Sequence, residues 1–112
     1  MHEFSVAVAL LELAQRHVPA GSRLLGVSVK AGAMRRIDPD AMQLAWRQAA
    51  LDTPAAGATL KLDLPKWTLR CTQCERQWES QELFEPCSCG CDRAFPVGGD
   101  ELQLMSIEVT DP

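Results

Sequence analysis

The feature that most constrains this chain of 112 residues is a group of five cysteines between positions 71 and 91. Cys71 and Cys74 are two residues apart, a spacing that lets both sulfur atoms bind one tetrahedral zinc ion at about 2.3 Å each. Five thiols cannot all pair within one chain, which favours metal over disulfides. A thioredoxin-like redox role needs a strand-helix frame that the neighbouring residues do not provide. Residues 69–97 are therefore predicted to fold around a structural zinc ion instead of around a core.

The second half of this zinc site offers three cysteines for two ligand positions: Cys87, Cys89 and Cys91. None of their pairs has the two-residue spacer. Gly90 directly follows Cys89, and glycine readily adopts the positive φ that lets a backbone turn around a metal. This favours Cys87 and Cys89 as ligands and leaves Cys91 as the alternative fourth ligand.

The residues around the cysteines are expected to complete the site. Four thiolates around one Zn²⁺ carry a net charge of about −2. Three arginines lie close enough in the sequence to offset that charge: Arg70, Arg76 and Arg93. Trp78 and Phe84 are expected to form apolar walls of the module.

Outside the cysteine segment, apolar periodicity predicts two helices and three strands. Steps of three and four residues predict an amphipathic helix over residues 3–17, and Asp38 followed by Pro39 is a strong start for a second helix. Alternation predicts strands over residues 25–31 and 60–64 and, less regularly, 102–109. The positions expected to be buried are Phe4, Ala7, Val8, Leu11 and Ala14 in the first helix, Met42, Ala45, Trp46 and Ala49 in the second, and Leu25, Val27, Val29 and Ala31 in the first strand.

This order of elements predicts an α/β fold. A small mixed three-stranded sheet packs against two helices, and a zinc-ribbon-like module is inserted before the last strand. Residues 1–68 form the helix-sheet domain, which a strand at residues 101–110 completes. Residues 69–98 form the zinc-binding module.

The charge balance opposes two classes of partner. Eleven Lys and Arg against fifteen Asp and Glu give a net charge of −4, which disfavours nucleic acid and anionic membranes. The apolar residues 4–11 are bracketed by Glu3 and Glu12 and follow no basic residue, so we expect a helix there and no export signal. No apolar run approaches the length needed to span a bilayer. A cytoplasmic location, where thiols stay reduced, is expected.

The amino terminus offers a second and different metal site. The α-amine of Met1, the backbone nitrogen of His2 and the His2 imidazole can close two adjacent chelate rings on one ion. Nitrogen donors of this kind suit nickel, copper and zinc. Glu3 is a further candidate donor, although a carboxylate in the first turn also simply stabilises a helix start.

Other conspicuous residues have simpler interpretations. His17 lies where a cation complements the dipole at the end of a helix, so we expect capping instead of metal binding. The sequence Gly98-Gly99-Asp100 lacks the residues of a phosphate loop and predicts a turn. Trp46 and Trp67 are expected to pack in the core or in the module instead of lining a ligand site.

Short segments distributed along the whole chain resemble one known family. They are Met1-His2-Glu3, Lys30-Ala31-Gly32, Cys71-x-x-Cys74, Cys89-Gly90, Gly99-Asp100-Glu101-Leu102 and Ser106-Ile107-Glu108-Val109. With the amphipathic first helix, they resemble the HypA/HybF hydrogenase maturation metallochaperones. The resemblance implies delivery of nickel to the large subunit of nickel-iron hydrogenase, in concert with a GTPase partner.

The resemblance also implies roles for individual residues. Nickel would bind through the terminal amine, nearby backbone nitrogens and the His2 side chain, and the zinc would be structural. The usual Cys-x-x-Cys-Gly of the family is shortened here to Cys87-x-Cys89-Gly90, and Cys91 is added. That departure leaves the fourth zinc ligand open.

The leading interpretation is a nickel-binding maturation factor, a monomer or homodimer without enzymatic activity. The alternative is a zinc-ribbon adaptor that binds nucleic acid or protein. Such an adaptor needs a basic face with stacking aromatics, and the acidic balance and the absence of Tyr argue against it. An enzyme is least favoured, because two histidines at opposite ends of one helix form no acid-base pair and a four-thiolate zinc has no open position for water.

Overall fold

The computed structural model describes residues 3–112, and it divides the chain into two compact units. The helix-sheet unit comprises the chain up to Lys30, Ile37–Asp63 and Gln103–Pro112, and the cysteine unit comprises Ala31–Arg36 and Leu64–Leu102. The elements are helices α1 (Glu3–Arg16) and α2 (Pro39–Ala50), a 3-10 turn at Ala33–Arg35, and strands β1 (Leu24–Ala31), β2 (Thr59–Asp63), β3 (Trp67–Cys71), β4 (Gln77–Ser80), β5 (Ala94–Pro96) and β6 (Leu102–Val109).

Helix α1 buries one stripe of small and aliphatic side chains. The buried residues are Ala7, Leu10, Leu11 and Ala14. They share one face of α1, and α1 packs against α2. The expected stripe differs, since Phe4 is 54% exposed and Val8 is only half-buried, while Leu10 is buried. Apolar residues occupy more than one side of α1, so local periodicity did not decide which of them faces α2.

Helix α2 begins as expected at its cap. The Asp38 carboxylate accepts hydrogen bonds from the backbone N–H groups of Asp40 at 2.9 Å and Ala41 at 3.3 Å. Of the expected buried positions, Met42, Ala45 and Trp46 are buried. Ala49 is only half-buried, and the next residue, Ala50, is buried instead. The indole N–H of Trp46 donates to the Ala58 carbonyl at 2.9 Å, so the largest buried side chain also satisfies its polar atom.

The sheet of the helix-sheet unit has the strand order β2-β1-β6 and is mixed, as predicted. Strands β1 and β2 are parallel, with Val27 opposite Leu60 and Val29 opposite Leu62, because α2 connects them and returns the chain to the same end. Strand β6 runs the other way. The Thr110 N–H, just after β6, donates to the Arg23 carbonyl, just before β1, at 2.9 Å.

Three details of these strands depart from a regular alternation. Leu25 is 43% exposed and Leu24 is buried in its place, while Val27 and Val29 are buried as expected. Leu64 lies beyond the end of β2 and is exposed. In β6, Met105 and the residue after it are both exposed, so the alternation changes phase in the middle of the strand.

The cysteine unit contains a sheet of its own, which the sequence patterns did not predict. Strands β4 and β5 flank β3, both antiparallel to it. At the centre, Leu69 is fully buried, with Trp78 opposite it on one side and Pro96 on the other. The expectation that this segment has no core is therefore wrong: a small apolar cluster exists, built from single residues on three short strands.

A close backbone approach within the cysteine unit explains one glycine of the sequence. Gly98 and Gly99 both have positive φ, 67° and 91°, which confirms the predicted turn. The Gly32 N–H donates to the Glu101 carbonyl, and the Met34 N–H donates to the Gly99 carbonyl, each at 2.8 Å. A Cβ at Gly32 would collide with the Gly99 carbonyl oxygen and the Glu101 carboxylate. Only glycine fits at position 32 without a shift of backbone.

Within residues 3–112, no helix is long and apolar enough to cross a membrane.

Candidate metal centre

The first pair of cysteines lies in the turn between β3 and β4. Cys71 ends β3, and its backbone N–H donates to the Arg76 carbonyl at 2.9 Å. Glu75 adopts a positive φ of 61°, which turns the chain back toward β4. The turn places Cys71 and Cys74 on the same loop, and the Gln73 N–H points at the Cys71 sulfur from 3.3 Å.

The second group of cysteines lies in a tight turn of its own. The Cys87 N–H donates to the Cys91 carbonyl, and the Gly90 N–H donates to the Cys87 carbonyl, each at 3.0 Å. Gly90 has a φ of 98°, which confirms the positive φ expected at this position. The turn curls residues 87–91 so that several thiols lie near one another.

Four thiols converge to a common point. The sulfur atoms of Cys71, Cys74, Cys87 and Cys89 all lie within 4.8 Å of one another. The closest pairs are Cys71 with Cys89 and Cys74 with Cys87, both at 3.6 Å. Tetrahedral zinc with Zn–S bonds of about 2.3 Å requires sulfur atoms about 3.8 Å apart, so these residues fit a four-thiolate zinc ion.

Burial of the cluster is uneven. Cys71 and Cys87 are buried, whereas Cys74 and Cys89 are exposed, so one residue of each cysteine group lies inside and one faces solvent. All five cysteines are free thiols in the structure. Among the described residues, these four cysteines form the group of His, Cys, Asp and Glu side chains that is close enough to hold a metal.

The fifth cysteine stands apart from that group. The sulfur of Cys91 lies 3.6 Å from the Thr72 hydroxyl and accepts from the Arg93 N–H at 3.4 Å. Cys91 is half-buried and its sulfur is not among the four that converge. The geometry thus brings together the four favoured cysteines and leaves the alternative ligand outside.

Local interactions lower the pKa of two of the four thiols and raise the pKa of the other two. The backbone N–H groups of Cys74 and Gln73 lower the pKa of Cys71 to about 6. The backbone N–H of Cys89 likewise lowers the pKa of Cys87. Because these groups donate to sulfur, they stabilise the thiolate that a metal requires.

The other two thiols hold their protons more tightly. At Cys89, the Cys91 backbone N–H favours the thiolate, but hydrogen bonding with Cys87 and Cys71 outweighs it and raises the pKa to about 12. At Cys74, the backbone N–H of Arg76 favours the thiolate, but hydrogen bonding with Cys87 and burial outweigh it and raise the pKa. Without metal, Cys71 and Cys87 therefore lose their protons at lower pH than Cys74 and Cys89, and a dication would displace the protons that remain.

The three arginines do not share the role expected of them. One guanidinium nitrogen of Arg76 lies 4.0 Å from the Cys87 sulfur. Arg70 instead forms a salt bridge with Glu75 at 2.9 Å. Arg93 contributes its backbone, since its N–H donates to Cys91 and its carbonyl accepts from the Thr72 hydroxyl at 3.0 Å.

The aromatic residues also differ in their placement. Phe84 is 88% exposed, so the expectation that it walls the module is wrong. Trp78 is half-buried and carries the Arg76 guanidinium carbon 5.0 Å from its ring centroid. Trp67 is also half-buried, with the Arg36 guanidinium carbon 5.7 Å from its ring. Both tryptophans of this unit thus pack against cations.

The pairing of Arg76 with Trp78 was missed in the sequence, although a signal for it existed. Residues two apart point to the same side of an extended strand. The sequence Arg76-Gln77-Trp78 has that spacing, and β4 begins within it.

The candidate nickel residues lie at the other end of the chain. Met1 and His2 are outside the described residues. Glu3 is the first residue of α1 and is half-buried. His17 is exposed and lies one residue beyond α1, where its backbone N–H donates to the Ala14 carbonyl at 3.0 Å.

Comparison with known proteins identifies relatives of the whole chain. Residues 1–109 match a family described as "Hydrogenase/urease nickel incorporation, metallochaperone, hypA". The hydrogenase maturation factor HypA of a Synechococcus species is 33% identical over 111 residues, and the alignment covers 97% of this chain and 99% of that protein. The same factor of Geobacter metallireducens is 29% identical over 110 residues, with 97% and 99% covered.

Two solution structures have the same fold. One is the Ni metallochaperone HypA from Helicobacter pylori, with a TM-score of 0.59, 23% identity, and 96% of this chain and 97% of that chain covered. The other is a HypA protein with a TM-score of 0.64, 24% identity, and 98% and 97% covered.

Proposed function

The chain belongs to the HypA family of hydrogenase and urease nickel-incorporation metallochaperones, and from that premise we propose which of its residues carry the two metals. Its function is that of a nickel metallochaperone in hydrogenase maturation. The family uses nickel as cargo and zinc as a structural ion. We assign the zinc to Cys71, Cys74, Cys87 and Cys89 and the nickel to the amino terminus.

The convergence of four sulfur atoms within 4.8 Å carries the zinc assignment. Bound zinc would tie the turn after β3 to the turn at residues 87–91, which are joined by β4 and the six residues that follow it. Four thiolates fill the tetrahedral coordination of the ion and leave no position for a substrate or for water. This supports a structural role for the ion and a protein that carries metal without catalysing a reaction.

For nickel, we assign the Met1 amine and the His2 backbone nitrogen and imidazole, with Glu3 as a further donor. The chemical support is the chelate effect: two adjacent rings close on one ion, and nitrogen donors suit nickel. A square or octahedral nickel ion would keep positions open for an incoming ligand of an acceptor protein. That arrangement allows transfer without a free ion in solution.

Nickel titration of three chains tests this assignment. Calorimetry would compare the untagged protein, a chain with a short tag before Met1, and His2→Ala, each already loaded with zinc. The tag and the substitution are expected to weaken nickel binding to a similar extent, because each removes one donor and one ring. Protons compete for the amine and the imidazole, with ordinary pKa values of about 7.8 and about 6.5, so affinity should fall on mild acidification. Equal nickel affinity in all three chains would contradict the assignment.

The partners follow from the same role. We propose that the chain works with a hydrogenase maturation GTPase and hands nickel to the large subunit of nickel-iron hydrogenase, as a monomer or homodimer. The cytoplasm, where the five free thiols stay reduced, is the compartment we assign. A zinc-ribbon adaptor is not favoured, since the family match includes both the amino terminus and the cysteine unit.

A further inference from the structure

One guanidinium in the cysteine unit contacts both a zinc-binding cysteine and an aromatic ring. The Arg76 guanidinium carbon lies 5.0 Å from the Trp78 ring centroid, and one of its nitrogens lies 4.0 Å from the Cys87 sulfur. We infer that Arg76 is a positioning residue of the zinc site, held by Trp78 so that it retains Cys87 as a metal-bound thiolate. This inference rests on the zinc assignment proposed above.

Arg76 connects the two cysteine groups. Its backbone carbonyl accepts from the Cys71 N–H at 2.9 Å, in the first group. Its side chain reaches Cys87, in the second group. A single residue thus contacts ligands from both halves of the site, one through the backbone and one through the guanidinium.

Trp78 supplies a fixed platform for the guanidinium. It lies directly opposite the fully buried Leu69 across β3 and β4, so the two side chains extend from the same face of this sheet, and Trp78 is half-buried there. A planar guanidinium stacks on an aromatic face, an interaction that restricts a long and otherwise mobile side chain. The ring therefore determines where the positive charge lies.

That charge has a specific electrostatic effect. Zinc with four thiolates carries about −2, and Cys87 is buried, where an uncompensated charge costs more than at the surface. Among the described residues, Arg76 is the arginine whose guanidinium contacts a ligand sulfur, since Arg70 is bound to Glu75. Arg76 thereby opposes the release of the Cys87 thiolate from the metal.

Retention of zinc matters for a protein whose other metal must leave. Thiolates also bind nickel, and affinity alone does not separate the two ions reliably. A zinc ion that dissociates slowly keeps the four sulfurs occupied and leaves the cargo to the nitrogen donors. Arg76 contributes to that division.

The test compares substitutions in the full-length, zinc-loaded protein by chelator competition and by the rate of zinc release. Arg76→Gln and Trp78→Leu are each expected to lower zinc affinity about tenfold, the lower end of the effect of outer-sphere partners. Arg70→Gln is the matched control: it removes an equal charge nearby, but one that is paired with Glu75, and it should leave affinity within twofold of the unaltered protein. Arg76→Lys should restore part of the loss, because it keeps the charge without the stacking plane.

A second readout separates positioning from mere folding. In the cobalt-substituted protein, the sulfur-to-cobalt charge-transfer band should shift in Arg76→Gln and stay in place in Arg70→Gln. If Arg76→Gln does not fold, Arg76→Lys and Trp78→Leu decide the question, and zinc affinity within twofold of the unaltered protein in both would overturn the inference. Unaltered protein that purifies without zinc would overturn the zinc assignment itself. Bound zinc with equal affinity in Arg76→Gln and Arg70→Gln would overturn only the role of Arg76.

Discussion

Single residues divide the chemistry of this chain between two kinds of donor. Soft thiolates are proposed to hold one metal in a closed site, and nitrogen donors at the amino terminus to hold the other in an open one. Within the thiolate site, backbone N–H groups set which sulfur ionises first, so the acidity of Cys71 and Cys87 is a property of the turns and not of the cysteines alone.

The choice of the fourth zinc ligand can be tested by two serine substitutions. Cys89→Ser is expected to lose most of the bound zinc, because the Cys89 sulfur lies 3.6 Å from that of Cys71 within the converging group. Cys91→Ser is its matched control and should retain one zinc ion per chain. Metal analysis of protein purified under reducing conditions gives the answer. The reverse pattern would make Cys91 the ligand.

The pKa values predict a steep dependence of zinc binding on pH. The pKa values of Cys74 and Cys89 are raised, the latter to about 12, so both thiols are protonated near neutrality in the metal-free protein. Zinc binding must then release at least two protons, and affinity should rise at least about hundredfold per pH unit between about pH 6.5 and about pH 8. Below about pH 6 the Cys71 thiolate is protonated as well, which steepens the loss. Competition titrations over this range measure the slope, and a slope of clearly less than two protons per zinc would contradict the hydrogen-bond assignment.

Gly32 gives a prediction about the backbone. Gly32→Ala should destabilise the protein by about 2 kcal/mol, because the new methyl group meets the Gly99 carbonyl and must displace backbone. Gly57→Ala is a useful comparison. The φ of 86° at Gly57 disfavours any side chain, but the space around this glycine is open. The substitution should therefore lower the free energy of unfolding by about 1 kcal/mol. Urea unfolding of both variants measures the difference, and an equal cost would mean that the turn at Gly99 moves freely.

At the scale of elements, the two helices and the two sheets have different sources of order. Helix α2 is specified locally, since Asp38 caps it, Pro39 opens it and a buried stripe follows at regular spacing. Strands β3, β4 and β5 have three to five residues each, and their fully buried side chains, Leu69 and Cys71, both lie in β3. Such short strands need a further constraint, and zinc bound by the turns at their ends, as proposed above, would provide it.

The cap of α2 can be measured directly. Asp38→Ala should destabilise the helix-sheet unit by about 1 kcal/mol, because the N–H groups of Asp40 and Ala41 lose their acceptor. Asp38→Asn keeps an oxygen acceptor and should cost little. Chemical unfolding followed by helical circular dichroism reports on this unit, because it contains both α-helices. An equal loss in both variants would assign the effect to charge instead of the hydrogen bonds.

At the scale of the whole molecule, the chain consists of two compact units with separate sources of stability. The helix-sheet unit has a continuous apolar core that includes Leu24, Met42 and Trp46. The cysteine unit has only the small cluster around Leu69 in addition to its thiols. Metal removal should therefore affect the two units unequally.

Zinc removal tests that inequality. A chelator is expected to raise amide exchange strongly in the cysteine turns, residues 72–76 and 81–91, and less in β3 and β4, because Leu69 and Trp78 remain paired across these strands. Exchange in α1, α2 and β1 should stay near its original rate. Hydrogen exchange with mass spectrometry before and after chelation resolves these segments. Loss of protection throughout both units would show that the helix-sheet unit depends on zinc.

The sequence by itself determined the features that depend on near neighbours. Spacing and the glycine at position 90 pointed to the four thiols that converge, capping identified the start of α2, and alternation located β6. The assignment of nickel to His2 stays a prediction from the sequence, because Met1 and His2 lie outside the described residues.

Only the tertiary structure decided which apolar residues are buried and which charges are paired. Phe4 and Phe84 are exposed although their sequence neighbourhoods suggested contact, Arg70 binds Glu75, and Arg76 stacks on Trp78 beside Cys87. The physical reason is the distance along the chain over which each interaction acts. Capping, turn geometry and periodicity act over a few residues, whereas burial and charge pairing depend on segments that are brought together only when distant parts of the chain pack against each other.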